Sequence, residues 1–191
     1  MKLVLATRNA HKAREFATLL APHEVLPLPD EVQLPPETGE TFLDNALDKA
    51  RAAARATGLP AIADDSGIES AALGGAPGVR SARFAGDAAS DEENLAKLLR
   101  EAPAGSGLAY VCALVLVRPD GELEQAVQAR CTGTLAAQPR GDGGFGYDPV
   151  FTADDVPGGR TMAQLSAAQK DAISHRGRAA RELLALLDPG R

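Results

Sequence analysis

The sequence predicts a mixed α/β protein, and three observations carry that prediction. Short apolar runs at residues 3–6 and 59–63 each adjoin a segment with helical periodicity. Two β-rich runs, residues 108–117 and 123–131, flank Pro119-Asp120-Gly121, a hairpin signal. The chain then closes in helical patterns, one carrying Lys170 and a last one that follows Ser174-His175-Arg176-Gly177. At 191 residues it is long enough for a sizeable core, as one large domain or a domain with two lobes. Its 45% hydrophobic and 24% charged content is that of a soluble globular protein.

Bulk charge and cysteine usage narrow the function classes. A net charge of −6 lacks the basic face that a nucleic-acid polymer needs, while a local cation cluster can still hold a small anion. Cys112 and Cys131 each fall in a predicted strand, with no partner at zinc-site spacing, and read as reduced core thiols. The apolar start turns polar at Thr7, too early for a signal peptide, and no apolar run reaches membrane-spanning length. A soluble, cytoplasmic setting with no membrane contact is expected.

Taken in order, residues 3–6 read as a buried strand and Thr7-Arg8-Asn9-Ala10-His11-Lys12 as a polar turn. Ala13, Phe16, Ala17 and Leu20 follow at helical spacing. Such a helix start aims backbone N–H groups and a positive dipole end at whatever lies above the strand. Lys12 opposes that dipole preference, and an anionic ligand or plain solvation would each account for it. Residues 25–28 read as a short strand, and the proline-rich stretch to Gly39 is irregular. Thr41-Phe42-Leu43-Asp44 resembles a capping box, opening a helix to about Ala56 with Phe42, Ala46, Lys49 and Ala53 on one face. Lys49 there is either snorkelling or a ligand, and Glu37 either caps the helix or binds a metal.

The strand at residues 59–63 leads into Asp64-Asp65-Ser66-Gly67, two carboxylates where a buried strand is expected to end and turn away. Such a pair is costly to bury without a cation. Residues 68–73 are ambiguous between helix and strand, 74–78 form a loop, and Ser81, Arg83 and Phe84 read as extended or irregular. Ser90-x-x-Glu93 caps a helix presenting Leu95, Leu98 and Leu99 to the core. Ser166-x-x-Gln169 opens another, and Ala180, Leu183, Leu184 and Leu187 mark a last one, stopped by Asp188-Pro189-Gly190.

Several signatures fail. Residues 141–146 match G-x-G-x-x-G literally, but Pro149 and the run after it break the strand–turn–helix context. There is no Walker loop, nucleophile elbow, H-E-x-x-H or cysteine cluster. What remains is a distributed set: carboxylates at Asp64, Asp65 and Glu37, cations and donors at Thr7, Asn9, Lys12, Lys49, Lys170, His175 and Arg176. Phe145 offers a face on which a base can stack, and Asp148 an acceptor for its edge. Oxygen ligands favour Mg²⁺ or Mn²⁺ over zinc, and Mg²⁺ commonly takes one or two carboxylates plus substrate phosphates.

Eight stretches together resemble the inosine/xanthosine triphosphate pyrophosphatase family. They are Thr7-x-Asn9-x-x-Lys12-x-x-Glu15, Glu37-Thr38-Gly39-x-Thr41-Phe42, Asn45-Ala46-x-x-Lys49-Ala50, Ala63-Asp64-Asp65-Ser66-Gly67, Leu73-Gly74-Gly75-Ala76-Pro77-Gly78-Val79, Ser81-Ala82-Arg83, Gly143-Gly144-Phe145-Gly146-Tyr147-Asp148-Pro149 and Ser174-His175-Arg176-Gly177. The resemblance implies a single domain over residues 1–191, a two-lobed α/β fold with a long mixed β-sheet flanked by helices, the substrate cleft between the lobes, and a homodimer. It implies hydrolysis of ITP, dITP and XTP to monophosphate and pyrophosphate. By position it assigns Thr7, Arg8, Asn9, Ala10, His11 and Lys12 to the phosphates, and Asp65 to proton acceptance and Mg²⁺, with Glu37 a second metal ligand. Lys49, Ser66, Phe145, Gly146, Tyr147, Asp148, Lys170, His175 and Arg176 then bind substrate. His11, Asp44, Ser70-Ala71, Arg80 and Phe84 depart from the family's usual residues, and the acid missing at Ala71 bears on the metal shell. Competing readings are a pyrophosphatase for pyrimidine triphosphates, a nucleotide-binding module without turnover, and an aspartate pair that merely caps a turn.

Overall fold

The computed structural model describes residues 1–187, so the expected stop at Asp188-Pro189-Gly190 lies outside the described residues. Six strands form one mixed sheet in the order β2-β1-β3-β4-β5-β6. They are β1 (Lys2–Leu5), β2 (Glu24–Pro27), β3 (Ala61–Ser70), β4 (Gly107–Val117), β5 (Leu123–Leu135) and β6 (Phe151–Ala153). The helices are α1 (Ala10–Leu19), α2 (Phe42–Thr57), α3 (Asp91–Glu101), α4 (Ala167–Ile173) and α5 (His175–Leu187). β1 pairs in parallel with β2 and β3, and β5 pairs antiparallel with β6. The mixed α/β class is therefore as the sequence predicts. Among the described residues no helix is long and apolar enough to cross a membrane.

The chain divides into two compact units. The first comprises residues 1–65, 112–129 and 176 onward, and the second residues 66–111 and 130–175. In the first unit, strand residues alternate between two cores, as the period of two requires. Leu3, Leu5, Ile62, Cys112, Leu114 and Leu116 join Phe16 and Leu20 beside α1 and Ala180 and Leu183 of α5. Val4, Ala6, Ala61, Ala63, Val115 and Val117 join Ala46, Ala50, Ala53 and Ala54 of α2. Both faces are covered, which is why these strands read as unbroken apolar runs. The many alanines of α2 bring that helix close to the sheet. In the second unit a third core gathers Ile68, Leu98, Leu108, Tyr110, Cys131, Leu135, Val150, Phe151 and Met162.

Two helix starts behave as their sequences require: Ser90/Glu93 and Ser166/Gln169 both form reciprocal capping boxes. Thr41 differs. Its hydroxyl accepts from Asp44 N–H and bonds the Asp44 carboxylate at 2.6 Å, so the aspartate, too short to reach the cap's own backbone, binds the cap's side chain instead. Ala17 is exposed rather than core-facing, α5 begins already at His175, and residues 78–83 form a 3₁₀ helix rather than extended chain. The larger correction is β3. Ser66-Gly67 does not turn the chain away; the strand runs ten residues through both aspartates to Ser70 before a 3₁₀ turn at Ala71–Leu73. Glycine weakens a strand but does not end it when neighbouring strands pair with it.

Cys112 and Cys131 are buried thiols outside any disulfide, as expected. Burial, reinforced by the Asp64 carboxylate, pushes the Cys112 thiol well above the ordinary range. Neither cysteine should react with a thiol reagent such as DTNB in the native protein, and both should react after denaturation. Stoichiometric native labelling would show that the strands open readily.

Candidate active site

Because β3 continues through the pair, Asp64 and Asp65 point to opposite faces of the sheet. Asp64 follows Ile62 toward α1 and α5. There its Oδ2 accepts from Lys12 Nζ at 2.9 Å and from Arg176 Nε at 3.3 Å, and Arg176 Nη1 reaches Glu15 at 3.2 Å. Asp64 is 1% exposed. Burial alone would raise its pKa, but Lys12, Arg176 and Lys49 outweigh it and hold the carboxyl well below the usual range. Lys12 is thus neither a solvated surface lysine nor dependent on an external anion for its charge balance. Asp64 acquires a role as the anchor of two cations.

Asp65 follows Ala63 toward α2, where Asn45 and Lys49 stand one turn apart. Asn45 Nδ2 donates to Asp65 Oδ2 at 3.0 Å, and Lys49 Nζ lies 3.6 Å from Asp65 Oδ1. Lys49 also donates to Glu37, whose side chain is 31% exposed. Lys49 is therefore buried and paired, not snorkelling. Burial works against its charge, yet the carboxylates of Asp64, Asp65 and Glu37 raise its pKa on balance. For Asp65, burial raises the pKa, Lys49 opposes and Glu37 adds to it, and the net direction is up. One face of β3 holds a firmly ionised acid; the other holds an acid made more basic by its surroundings.

The polar turn is organised by its own side chains. Asn9 caps α1, its Oδ1 accepting from His11 and Lys12 N–H, while Thr7 Oγ1 accepts from Asn9 N–H. Arg8 reaches back to the carbonyls of Leu28, Pro29, Asp30 and Val32 and holds that segment. Ala10 opens the helix and His11 lies beside Arg14 at its surface.

The second unit holds a separate cluster. Asp148, 2% exposed, accepts from Lys170 Nζ at 2.7 Å, Phe145 N–H at 2.9 Å and the Tyr110 hydroxyl at 3.2 Å. The Lys170 ammonium sits 4.8 Å from the Phe145 ring centroid. His175 stacks on Tyr110 at 4.6 Å and 7°. Gly144 permits the tight turn: its φ is +71°, and a Cβ there would lie 2.0 Å from Asp148 Oδ2. Tyr147 donates to the Ser81 carbonyl, and Gly146 N–H to Asp91. Ser66 is half-buried on β3. His175 and Arg176 are adjacent in sequence; the first stacks on Tyr110 and the second binds Asp64 and Glu15.

The Ham1 family profile matches residues 3–186. The chain belongs to the Ham1 family. It is 51% identical to a dITP/XTP pyrophosphatase of Mycobacterium tuberculosis, over 98% of this chain and 94% of that one. It is 49% identical to a dITP/XTP pyrophosphatase of Frankia alni, over 98% and 97% respectively. A solved HAM1 protein from Coxiella burnetii superposes with a TM-score of 0.85 at 39% identity, covering all of both chains.

Among Ham1-family residues of this chain, sequence reasoning left Asn45, Glu15 and Tyr110 without a site role and Asp64 unsettled. Asn45 could have been found as a polar residue four positions before Lys49 on an otherwise apolar helix face. Tyr110 left a fainter mark, as a phenol within a wholly apolar strand. Glu15 stands in a family-like stretch, but nothing local points to its partner Arg176, 161 residues away.

Removing one member of a buried ion cluster strands the others. Asp64→Ala should therefore lower unfolding free energy by roughly 3–5 kcal/mol, measured by urea denaturation, with Asp64→Asn intermediate. A change below about 1 kcal/mol would mean that Lys12 and Arg176 find other partners.

Proposed function

We propose that this chain hydrolyses non-standard purine nucleoside triphosphates such as ITP, dITP and XTP to the monophosphate and pyrophosphate, cleansing the nucleotide pool, with residues 1–191 acting as one pyrophosphatase domain. The observation that carries the reading is Asp65: a buried acid, held by Asn45 and Lys49, made more basic by burial and by Glu37. The dITP/XTP pyrophosphatase relatives support it.

Among the described residues no group of three or more His, Cys, Asp or Glu side chains is placed to hold a metal. Glu37 and Asp65 fit instead an ion that takes few protein ligands, and Lys49 already marks the place as one where positive charge is favoured. Mg²⁺, or Mn²⁺ in its place, would be held by these two carboxylates and would supply charge neutralisation for the triphosphate. The work of the chain's own residues is then as follows. Asp65 takes a proton from the water that attacks the α-phosphorus; the new O–P bond forms as the bond to the bridging oxygen breaks and pyrophosphate leaves. The turn from Thr7 to Lys12, with the α1 start, receives phosphate charge, and Asp64 keeps Lys12 and Arg176 in position.

For the base, Phe145 provides a stacking face, and Lys170, oriented by Asp148, provides a donor. A buried donor suits the O6 carbonyl of hypoxanthine or xanthine and is left unpaired by the 6-amino group of adenine. Ser66, Gly146, Tyr147, His175 and Arg176 complete the substrate-binding set of this reading. The likeness to the pyrophosphatase family supports a homodimer and a cytoplasmic setting as well.

Pyrophosphate release across ITP, XTP, GTP, ATP, dTTP and UTP, with Mg²⁺ and with EDTA, tests the reading. Preference for ITP and XTP, abolished by EDTA, is expected; equal rates on all six would leave a generic triphosphatase. Asp65→Asn should keep its melting temperature and lose about 10²–10⁴-fold in turnover. A folded, fully active Asp65→Asn enzyme would end the assignment.

A further inference from the structure

The amide of Asn45 touches both sides of the proposed metal site. Asn45 is 2% exposed. Its Oδ1 accepts from Gly39 N–H at 2.8 Å, and its Nδ2 donates to Asp65 Oδ2 at 3.0 Å. The first bond fixes which way the amide points, because a backbone N–H only donates. The nitrogen is thereby turned to a carboxylate, which when ionised only accepts. An amide is the side chain that serves both, and an aspartate of the same shape would set two carboxylates against each other.

Gly39 is matched to this contact by space. A Cβ there would lie 2.8 Å from Asn45 Oδ1 and 2.8 Å from Asp44 Cβ. Glu37 lies two residues before Gly39, and its carboxylate is held by Lys49, one helical turn after Asn45. So α2 grips the Glu37 segment twice, by backbone through Asn45 and by side chain through Lys49. It also addresses Asp65 twice, Asn45 on Oδ2 and Lys49 on Oδ1.

We propose that Asn45 is a positioning residue that fixes the rotation of the Asp65 carboxylate and the placement of the Glu37 segment together, so that the two acids are spaced for one divalent ion. The inference rests on the reading of Glu37 and Asp65 as that ion's ligands. Hydrogen-bond partners of ligating groups commonly matter by 10–100-fold in metal affinity.

The test uses Mn²⁺ binding to the full chain without substrate, followed by EPR, beside thermal melting and the Mg²⁺ dependence of ITP turnover. Asn45→Ala should stay folded, weaken Mn²⁺ binding by about 10–100-fold, and raise the Mg²⁺ needed for half-maximal turnover by a similar factor. The KM for ITP at saturating Mg²⁺ should move far less. Gly39→Ala should move metal affinity in the same direction. Should Asn45→Ala fail to fold, Asn45→Leu, which keeps the volume and removes the amide, carries the same expectation. Wild-type Mn²⁺ affinity in the folded Asn45 variant, with Asp65→Asn unable to bind, overturns the positioning role alone. A wild-type protein that binds no Mn²⁺ overturns the carboxylate site and the proposal with it.

Discussion

Two adjacent carboxylates in the middle of a buried strand are the constraint on which the first unit depends. Each would cost several kcal/mol to bury unpaired. The strand's period of two sends them to opposite faces, so one cation cannot serve both from the same side. The chain answers with two sets of partners from distant segments: Lys12 and Arg176 from α1 and α5 for Asp64, Asn45 and Lys49 from α2 for Asp65. The helices that cover the sheet are thereby also fixed in rotation. A hydrophobic stripe tolerates small turns about the helix axis, whereas a lysine that must reach a buried oxygen does not.

The same alternation gives neighbouring aspartates opposite chemistry. Asp64 meets more cationic charge than burial can offset, so it stays ionised and behaves as a fixed counter-charge. Asp65 meets Lys49, which it shares with Glu37, and more weakly Lys12, and burial prevails. That difference follows from facing alone, since the residues are identical and joined by one peptide bond. A proton acceptor and its supporting charge are obtained from two consecutive positions.

This is also where the sequence was legible and where it was not. The strand–helix units, the hairpin, the capping boxes at Ser90 and Ser166 and the core thiols all follow from local patterns, and local patterns settle them. The Ser66-Gly67 pair misled, because turn chemistry is a local signal and the pairing of β3 within the sheet overrides it. The candidate residues could be named from motifs, but their partners could not. Arg8, which the resemblance assigns to the phosphates, holds four carbonyls between Leu28 and Val32. Arg176 meets Asp64 and Glu15, more than a hundred residues away in sequence. Contacts across more than a hundred residues leave no periodicity to read.

The second unit repeats the logic with one acid instead of two. Asp148 is buried among Lys170, Tyr110 and the Phe145 backbone, and the turn that delivers Phe145 N–H to it passes through Gly144, where a side chain would fall on the carboxylate. The literal G-x-G-x-x-G at residues 141–146 has a local cause: a Cβ at Gly141 would lie 2.6 Å and one at Gly143 2.9 Å from the Ala163 carbonyl oxygen, and Gly146 has a φ of +60°. Gly144, at a variable position of that pattern, is needed because the backbone must close on an acid of its own chain. A glycine-rich stretch read without its context names the wrong ligand; read with Asp148 in place, it names the residue that orients Lys170 beneath an aromatic ring.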